Sequence, residues 1–313
     1  QEYWNNITNN VIGVKEFPFK RKAYAEELAG KDGIPDRYDN CAYLDEISTF
    51  DYNYFGIPPK EAYHMEPAQR LLLEVAVEAA EDAGIGCEGM RGTDTGVFVG
   101  RDHTSGREAY GLQSDGGLLS LTGTYTGILA SRISYALNLT GPALVIDTAC
   151  SSSLSALHIG CSAIRNKECE MAVIAGVNIF PIGLAEGAMG EVRSREGITK
   201  PFDNGADGSI WGEAVGAVLI KSYDKAVRDR DNILGVILAS AMNSDGTSNG
   251  ITAPNAKAQE QVIAQTWELA GINPECISYI ETHGTGTIIG DPIEIQGLNQ
   301  ACLKYTKKKQ FCG

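Results

Sequence analysis

The chain has 313 residues, 43% of them hydrophobic and 21% charged, a composition that supports a large buried core and excludes a disordered polypeptide. A net charge of −14, with no extended basic stripe and only short basic runs such as Lys307-Lys308-Lys309, argues against nucleic acid, and no apolar run is long enough to cross a bilayer. Eight cysteines without a CxxC pair read as reduced thiols rather than a disulfide framework or zinc site; together with a start that lacks the basic-then-apolar order of a signal peptide, they predict a cytoplasmic protein with no metal.

Taken in chain order, Leu71-Leu72-Leu73, Val75, Ala76, Ala79 and Ala80 recur at helical spacing among Arg70, Glu74, Glu78 and Glu81, which predicts a packed helix from Ala68 to Ala83 that Gly84 ends. Gly96-Val97-Phe98-Val99-Gly100 reads as a short buried strand, Arg101 to Gly117 as a loop excursion, and Tyr125 to Leu137 as helix. Strand Ala143-Leu144-Val145-Ile146, a turn holding Cys150, a helix from about Ser152 to Arg165 and strand Met171 to Ala175 make a βαβ unit. Val215 to Ile220 and Leu234 to Ala239 read as strands, followed by a helix from Ala256 to Leu269, the strand Ile277 to Ile280, a turn with His283, and a helix from about Pro292. The class is α/β. The polar segment from Ser222 through Asp231 is the expected junction between a first half, residues 1–224, and a second, residues 232–313. The repeated order of strand, turn and helix around Cys150 and His283 suggests a duplicated architecture whose two elbows would meet at strand ends, where open α/β sheets place ligands.

A cysteine at a strand-to-helix turn is held clear of the backbone, next to the partial positive charge of a helix N-terminus, so Cys150 is a candidate nucleophile for acyl transfer; the alternative is a small structural thiol. His283 is followed by Gly284 and Gly286, which permit close backbone approach to a ligand. Thr285 and Thr287 supply hydroxyls suited to an amide-bearing arm, or else merely cap a glycine-rich turn. His64 reads as a surface or packing residue, His158 as a packing residue in the helix after Cys150, and His103 as a loop residue beside Asp102 and Arg101. No glycine string fits a phosphate loop.

Together, Asp147-Thr148-Ala149-Cys150-Ser151-Ser152-Ser153-Leu154 and Glu281-Thr282-His283-Gly284-Thr285-Gly286-Thr287 resemble the nucleophile and first-histidine motifs of the β-ketoacyl synthase family. The resemblance runs through Met65 to Glu74, Lys200 to Gly208 and Asn243 to Asn255, and looks like the modular polyketide synthase branch. The stretch Phe202 to Ile220 is similar to ketosynthases of trans-acyltransferase assembly lines. The resemblance implies a thiolase-like fold of two βαβαβ halves in layers, usually a homodimer, beside adjacent synthase domains. It makes Cys150 the acceptor of an acyl chain from the phosphopantetheine arm of an acyl carrier protein, with no bound cofactor of its own. His283 becomes one of two histidines that promote decarboxylation of a malonyl group, and Thr285 and Thr287 bind the pantetheine arm.

The family's Lys-x-Asn-x-Gly-His motif and glycine-rich loop would lie past Gly313, and its first strand before Tyr3, so the sequence reads as a ketosynthase region truncated at both ends with an incomplete C-terminal half. Glu66, Ala68 and Ala214 are smaller departures from the family pattern. Alternative expectations are a module that transfers acyl groups without elongation, a split or structural fragment inactive without a downstream segment, and a thiolase acting on coenzyme A thioesters.

Overall fold

The computed structural model describes residues 2–102, 117–188, 190–248 and 250–313, so the expected loop around His103 lies outside the described residues. The chain divides into two compact units: Gln1–Ala188 with Trp211–Leu234, and Met189–Ile210 with Gly235–Gly313.

In the first unit, helices α1 (Glu2–Thr8), α2 (Phe19–Ala29), α3 (Pro59–His64), α4 (Pro67–Asp82) and α5 (Gly86–Met90) precede strand β1 (Thr95–Arg101). Then come α6 (Leu118–Thr124), α7 (Ile128–Leu137), β2 (Ala143–Ile146), α8 (Ser152–Arg165), β3 (Met171–Asn178), β4 (Ala214–Lys221) and α9 (Tyr223–Asp229). The strands form one sheet in the order β2-β1-β3-β4. β1 pairs in parallel with β2 and β3, while β4 runs antiparallel to β3.

Side-chain alternation decides which face each strand residue serves. Val97, Val99, Val173 and Ala175 join Leu72, Leu73 and Ala76 of α4 and Ile133 of α7 in the main core. Phe98, Ala172 and Ile174 point the other way and pack on Ala156 and Ala163 of α8. β1 is therefore buried along its whole length, which is why it reads as a nearly continuous apolar run. α4 opens on Pro67, whose missing N–H is one of the unpaired donors of any first turn, and stops where Gly84 takes φ +71°.

A smaller cluster of Phe17, Ala25, Cys41, Tyr43 and Phe180 is closed by a buried ion pair. Arg21 donates to both carboxylate oxygens of Glu213 at 2.5 and 2.9 Å, and Glu213 also accepts from the backbone N–H groups of Leu44 and Phe180. Glu66 forms a second buried pair, accepting from Arg101 at 2.5 and 2.8 Å and so tying the start of α4 to the end of β1.

In the second unit, α10 (Ala256–Ala270) and α11 (Gly290–Leu303) pack together. They cross closely at Gly297, where a Cβ would lie 2.9 Å from Gln259 Cβ. Asn255 caps α10 by accepting from the N–H groups of Lys257 and Ala258.

Several expectations change. The helix expected from Tyr125 to Leu137 starts at Ile128, as α7, and a separate helix, α6, precedes it at Leu118–Thr124. The segment 222–231, expected as the junction, holds α9, and Lys221 bonds both Asp229 and Asp231 at 2.6 Å. The change of unit falls after Leu234, and residues 189–210 group with the second unit. Leu234 to Ala239 and Ile277 to Ile280, expected as strands, join no ladder among the described residues. A strand exists only with a partner, and the nearest approach to one is Gly313, which donates to Ser278 O and accepts from Ile280 N. The echo between the halves thus extends to turn and helix, not to a strand.

Candidate active site

Cys150 lies between the end of β2 and the start of α8, and it is exposed. The turn is sharp enough to push Ala149 to φ +54°, a left-handed conformation that costs a residue with a Cβ about 1–2 kcal/mol. Side chains hold the turn in that shape. Asp147 accepts from Ala149 N, Ser152 Oγ accepts from Thr148 N and donates to Ala149 O at 2.6 Å, and Ser151 Oγ donates to Thr148 O. The serine run in the motif is thus a set of braces. Strain concentrated beside an exposed thiol is characteristic of a functional elbow rather than a packing cysteine.

Five of the other seven thiols are set apart by burial. Cys41, Cys161 and Cys169 are buried. Burial pushes the Cys41 thiol up to about 12 and also raises those of Cys161, Cys169, Cys87 and Cys302, so all five stay in the unreactive protonated form at neutral pH.

His283 is exposed and sits in the second unit, on a loop whose backbone is gripped by two carboxylates of α11. Glu294 accepts from His283 N at 2.6 Å and Gly284 N at 2.9 Å; Asp291, itself buried, accepts from Gly286 N at 3.0 Å and Phe202 N at 2.7 Å. Gly284 and Gly286 take φ +52° and +67°, which glycine adopts without steric cost. The string Lys200 to Gly208 lies against the same loop: Gly208 N donates to Gly286 O, and Ser209 Oγ donates to Thr285 O.

Thr285 and Thr287 flank Gly286 with their hydroxyls 3.0 Å apart, and Thr287 Oγ1 accepts from Gly290 N at the start of α11. One hydroxyl hydrogen is used between the two; the other remains for an outside acceptor. The capping and ligand-binding readings of these threonines are therefore compatible.

Asp291 and Glu294 do not stand out in the sequence as site residues. A signal is nonetheless present, since two acids three residues apart in the first turns of a helix directly after a glycine-rich turn can accept from that turn's N–H groups. Of the remaining histidines, His64 is half-buried with Tyr63 edge-on at 5.5 Å, and His158 is half-buried in α8. Among the described residues, no three His, Cys, Asp or Glu side chains group so as to hold a metal.

Comparison with known proteins places this geometry. The family profile "Beta-ketoacyl synthase, N-terminal domain" matches residues 1–226, and "Beta-ketoacyl synthase, C-terminal domain" matches residues 234–313. Polyketide synthase PksM of Bacillus subtilis (strain 168) is 40% identical over 99% of this chain, which spans 7% of that protein. The phenolphthiocerol synthesis polyketide synthase type I Pks15/1 of Mycobacterium bovis is 41% identical over 94% of this chain and 14% of its own length.

Among solved structures, the ketosynthase from module 6 of the bacillaene synthase of Bacillus subtilis 168 superposes with a TM-score of 0.85 at 39% identity, covering 99% of this chain and 52% of that one. An oxazolomycin ketosynthase domain of Streptomyces albus JA3453 gives a TM-score of 0.85 at 33% identity, covering 97% and 53%. The chain thus spans about half of the solved ketosynthases it resembles, and the thiolase-like fold rests on these likenesses. With both profiles matched over nearly all its residues, the chain belongs to the β-ketoacyl synthase family, among the ketosynthases of polyketide synthases.

Proposed function

We propose that Cys150 accepts an acyl chain from the phosphopantetheine arm of an acyl carrier protein, for decarboxylative Claisen condensation with a malonyl-type extender. The observation that carries the reading is the exposed Cys150 thiol on an elbow strained at Ala149. Cys150 Sγ attacks the thioester carbonyl, an S-acyl bond forms and the pantetheine thiol leaves. The malonyl group of a second carrier then loses CO2, its enolate attacks the Cys150-bound carbonyl, a carbon–carbon bond forms and the Cys150 thiolate is released. His283 is the group that favours decarboxylation by donating to the developing enolate oxygen, which requires its loop to be rigid; the Glu294 and Asp291 bonds support that. The free hydroxyl hydrogen of the Thr285–Thr287 pair suits an amide carbonyl of the pantetheine arm.

The pantetheine thioester is a substrate here, carried by the partner protein, and the reading needs no resident cofactor. It carries with it adjacent synthase domains and a homodimer, for which β2, the edge strand of its sheet among the described residues and with Leu144 exposed, offers a backbone edge. A cytoplasmic setting belongs to the same reading; among the described residues no helix is long and apolar enough to cross a membrane.

The test is incubation with an acyl-pantetheine thioester and measurement of intact mass. An acyl adduct on the unsubstituted chain that is lost in Cys150→Ala is expected; no adduct, or an equal one in the variant, refutes the assignment. Adding malonyl-carrier protein to the complete synthase polypeptide then decides elongation. A product longer by one ketide unit supports condensation, and transfer without lengthening refutes it.

A further inference from the structure

Beneath the elbow, β1 and β3 face α8 with two glycines, Gly100 and Gly176, that are direct partners in the parallel ladder. A Cβ on Gly100 would lie 2.5 Å from both Ser152 C and Ser153 N and 2.6 Å from Ser153 Cα. Ordinary carbon contacts are about 3.5–4.0 Å, so the gap is short by roughly 1 Å, and the atoms in the way are helix backbone that cannot rotate aside. A Cβ on Gly176 would meet Ser153 Cβ at 3.0 Å, a milder clash and with a side chain only. Ser152, at the point of contact, is the residue whose Oγ is bonded to Thr148 N and Ala149 O. Any lift of the first turn of α8 is therefore passed to the segment that carries Cys150.

We propose that Gly100 and Gly176 are positioning residues for the nucleophile: their missing Cβ atoms seat α8 on the sheet and fix where the Cys150 thiol stands at the end of β2. Gly160 provides the contrast within the same helix. A Cβ there would lie 2.3 Å from Ile174 Cδ1, the movable end of a side chain, so the local packing can yield without shifting the elbow. The inference rests on Cys150 being the reactive thiol, but its test uses alkylation, so it can fail or hold independently of acyl transfer.

The experiment is the pH–rate profile of Cys150 alkylation by iodoacetamide, read by peptide mass spectrometry in the 313-residue chain, with exposed Cys276 as internal reference and circular dichroism to monitor folding. Gly100→Ala is expected to lower the alkylation rate at Cys150 by about threefold or more and to move the midpoint of the profile, since a displaced turn changes the thiol's access and its place beside the first turn of α8. Cys276 should label as before, and Gly160→Ala should leave the Cys150 profile in place. Gly176→Ala should give a smaller loss that Ser153→Gly restores, because that substitution removes the atom the new methyl would strike; Ser153→Gly should not restore Gly100→Ala. If Gly100→Ala fails to fold, the Gly176–Ser153 pair decides alone. Profiles for Gly100→Ala and Gly176→Ala that superimpose on the unsubstituted chain, absence of rescue at Gly176, or an equal loss in Gly160→Ala would each overturn the proposal.

Discussion

Asp291 offers the clearest measure of how much the His283 loop depends on α11. Its carboxylate is 4% exposed and accepts from Phe202 N at 2.7 Å and Gly286 N at 3.0 Å. Phe202 and Gly286 both have positive φ, +60° and +67°; for Phe202, which carries a Cβ, that conformation is unfavourable by itself, and the carboxylate joins the two strings alongside the Gly208–Gly286 and Ser209–Thr285 bonds. A hydrogen bond to a charged acceptor contributes about 1.5–3 kcal/mol net, so Asp291→Ala, which leaves both donors unmet, should cost about 3–6 kcal/mol, with the buried charge's own desolvation favouring the lower end. Asp291→Asn keeps one acceptor oxygen but turns an NH2 toward the second N–H, and should recover less than half of the loss. Trp267 of α10, buried against Tyr305, reports the same unit, so urea unfolding can be followed by its fluorescence in a Trp4→Phe/Trp211→Phe background, alongside amide exchange at Gly286. With a urea slope of about 1–3 kcal/mol per molar, a 3 kcal/mol loss moves the midpoint down by about 1–3 M. A shift below about 0.3 M with Gly286 exchange unchanged would refute the role given to this carboxylate.

Breaking the buried Arg21–Glu213 pair by Glu213→Gln should destabilise the first unit by about 3–5 kcal/mol in denaturant titration, because Arg21 is left charged and uncompensated. Arg21→Met combined with Glu213→Leu should cost less than the single change, and equal costs would contradict this account. Burial pushes the Cys41 thiol from 9.0 to about 12 and the Tyr43 hydroxyl from 10.0 to about 12. Both groups are held protonated in the fold and ionise earlier once unfolded, so their stabilisation is complete below pH 9 and is lost as pH rises from 9 toward 12. Melting temperature should fall steadily across that window, less so in Cys41→Ala, and a flat profile would be inconsistent with these shifts.

Legibility from sequence follows the range of the interactions involved. β2 and α8 are readable to the residue because an apolar run, a small-residue turn and a 3.6-residue pattern are local signals, and the cysteine between them stands out for the same reason. The serines after Cys150 read in sequence only as part of a motif, although their hydroxyls brace the turn. Glu66, a departure from the family pattern, has its own partner in Arg101, 35 positions away, which no periodicity could reveal.

What the sequence alone determined is the α/β character, the elements of the first unit's sheet and the turn that carries Cys150, since each rests on hydrophobic period or turn chemistry within a few residues. Tertiary structure decided the rest. Leu234 to Ala239 has the composition of a strand but joins no ladder among the described residues, because pairing is a property of two segments rather than one. Asp291 and Glu294 became the grips of the His283 loop, and Gly100 the seat of α8, only when folding brought distant backbone to within hydrogen-bond or contact distance.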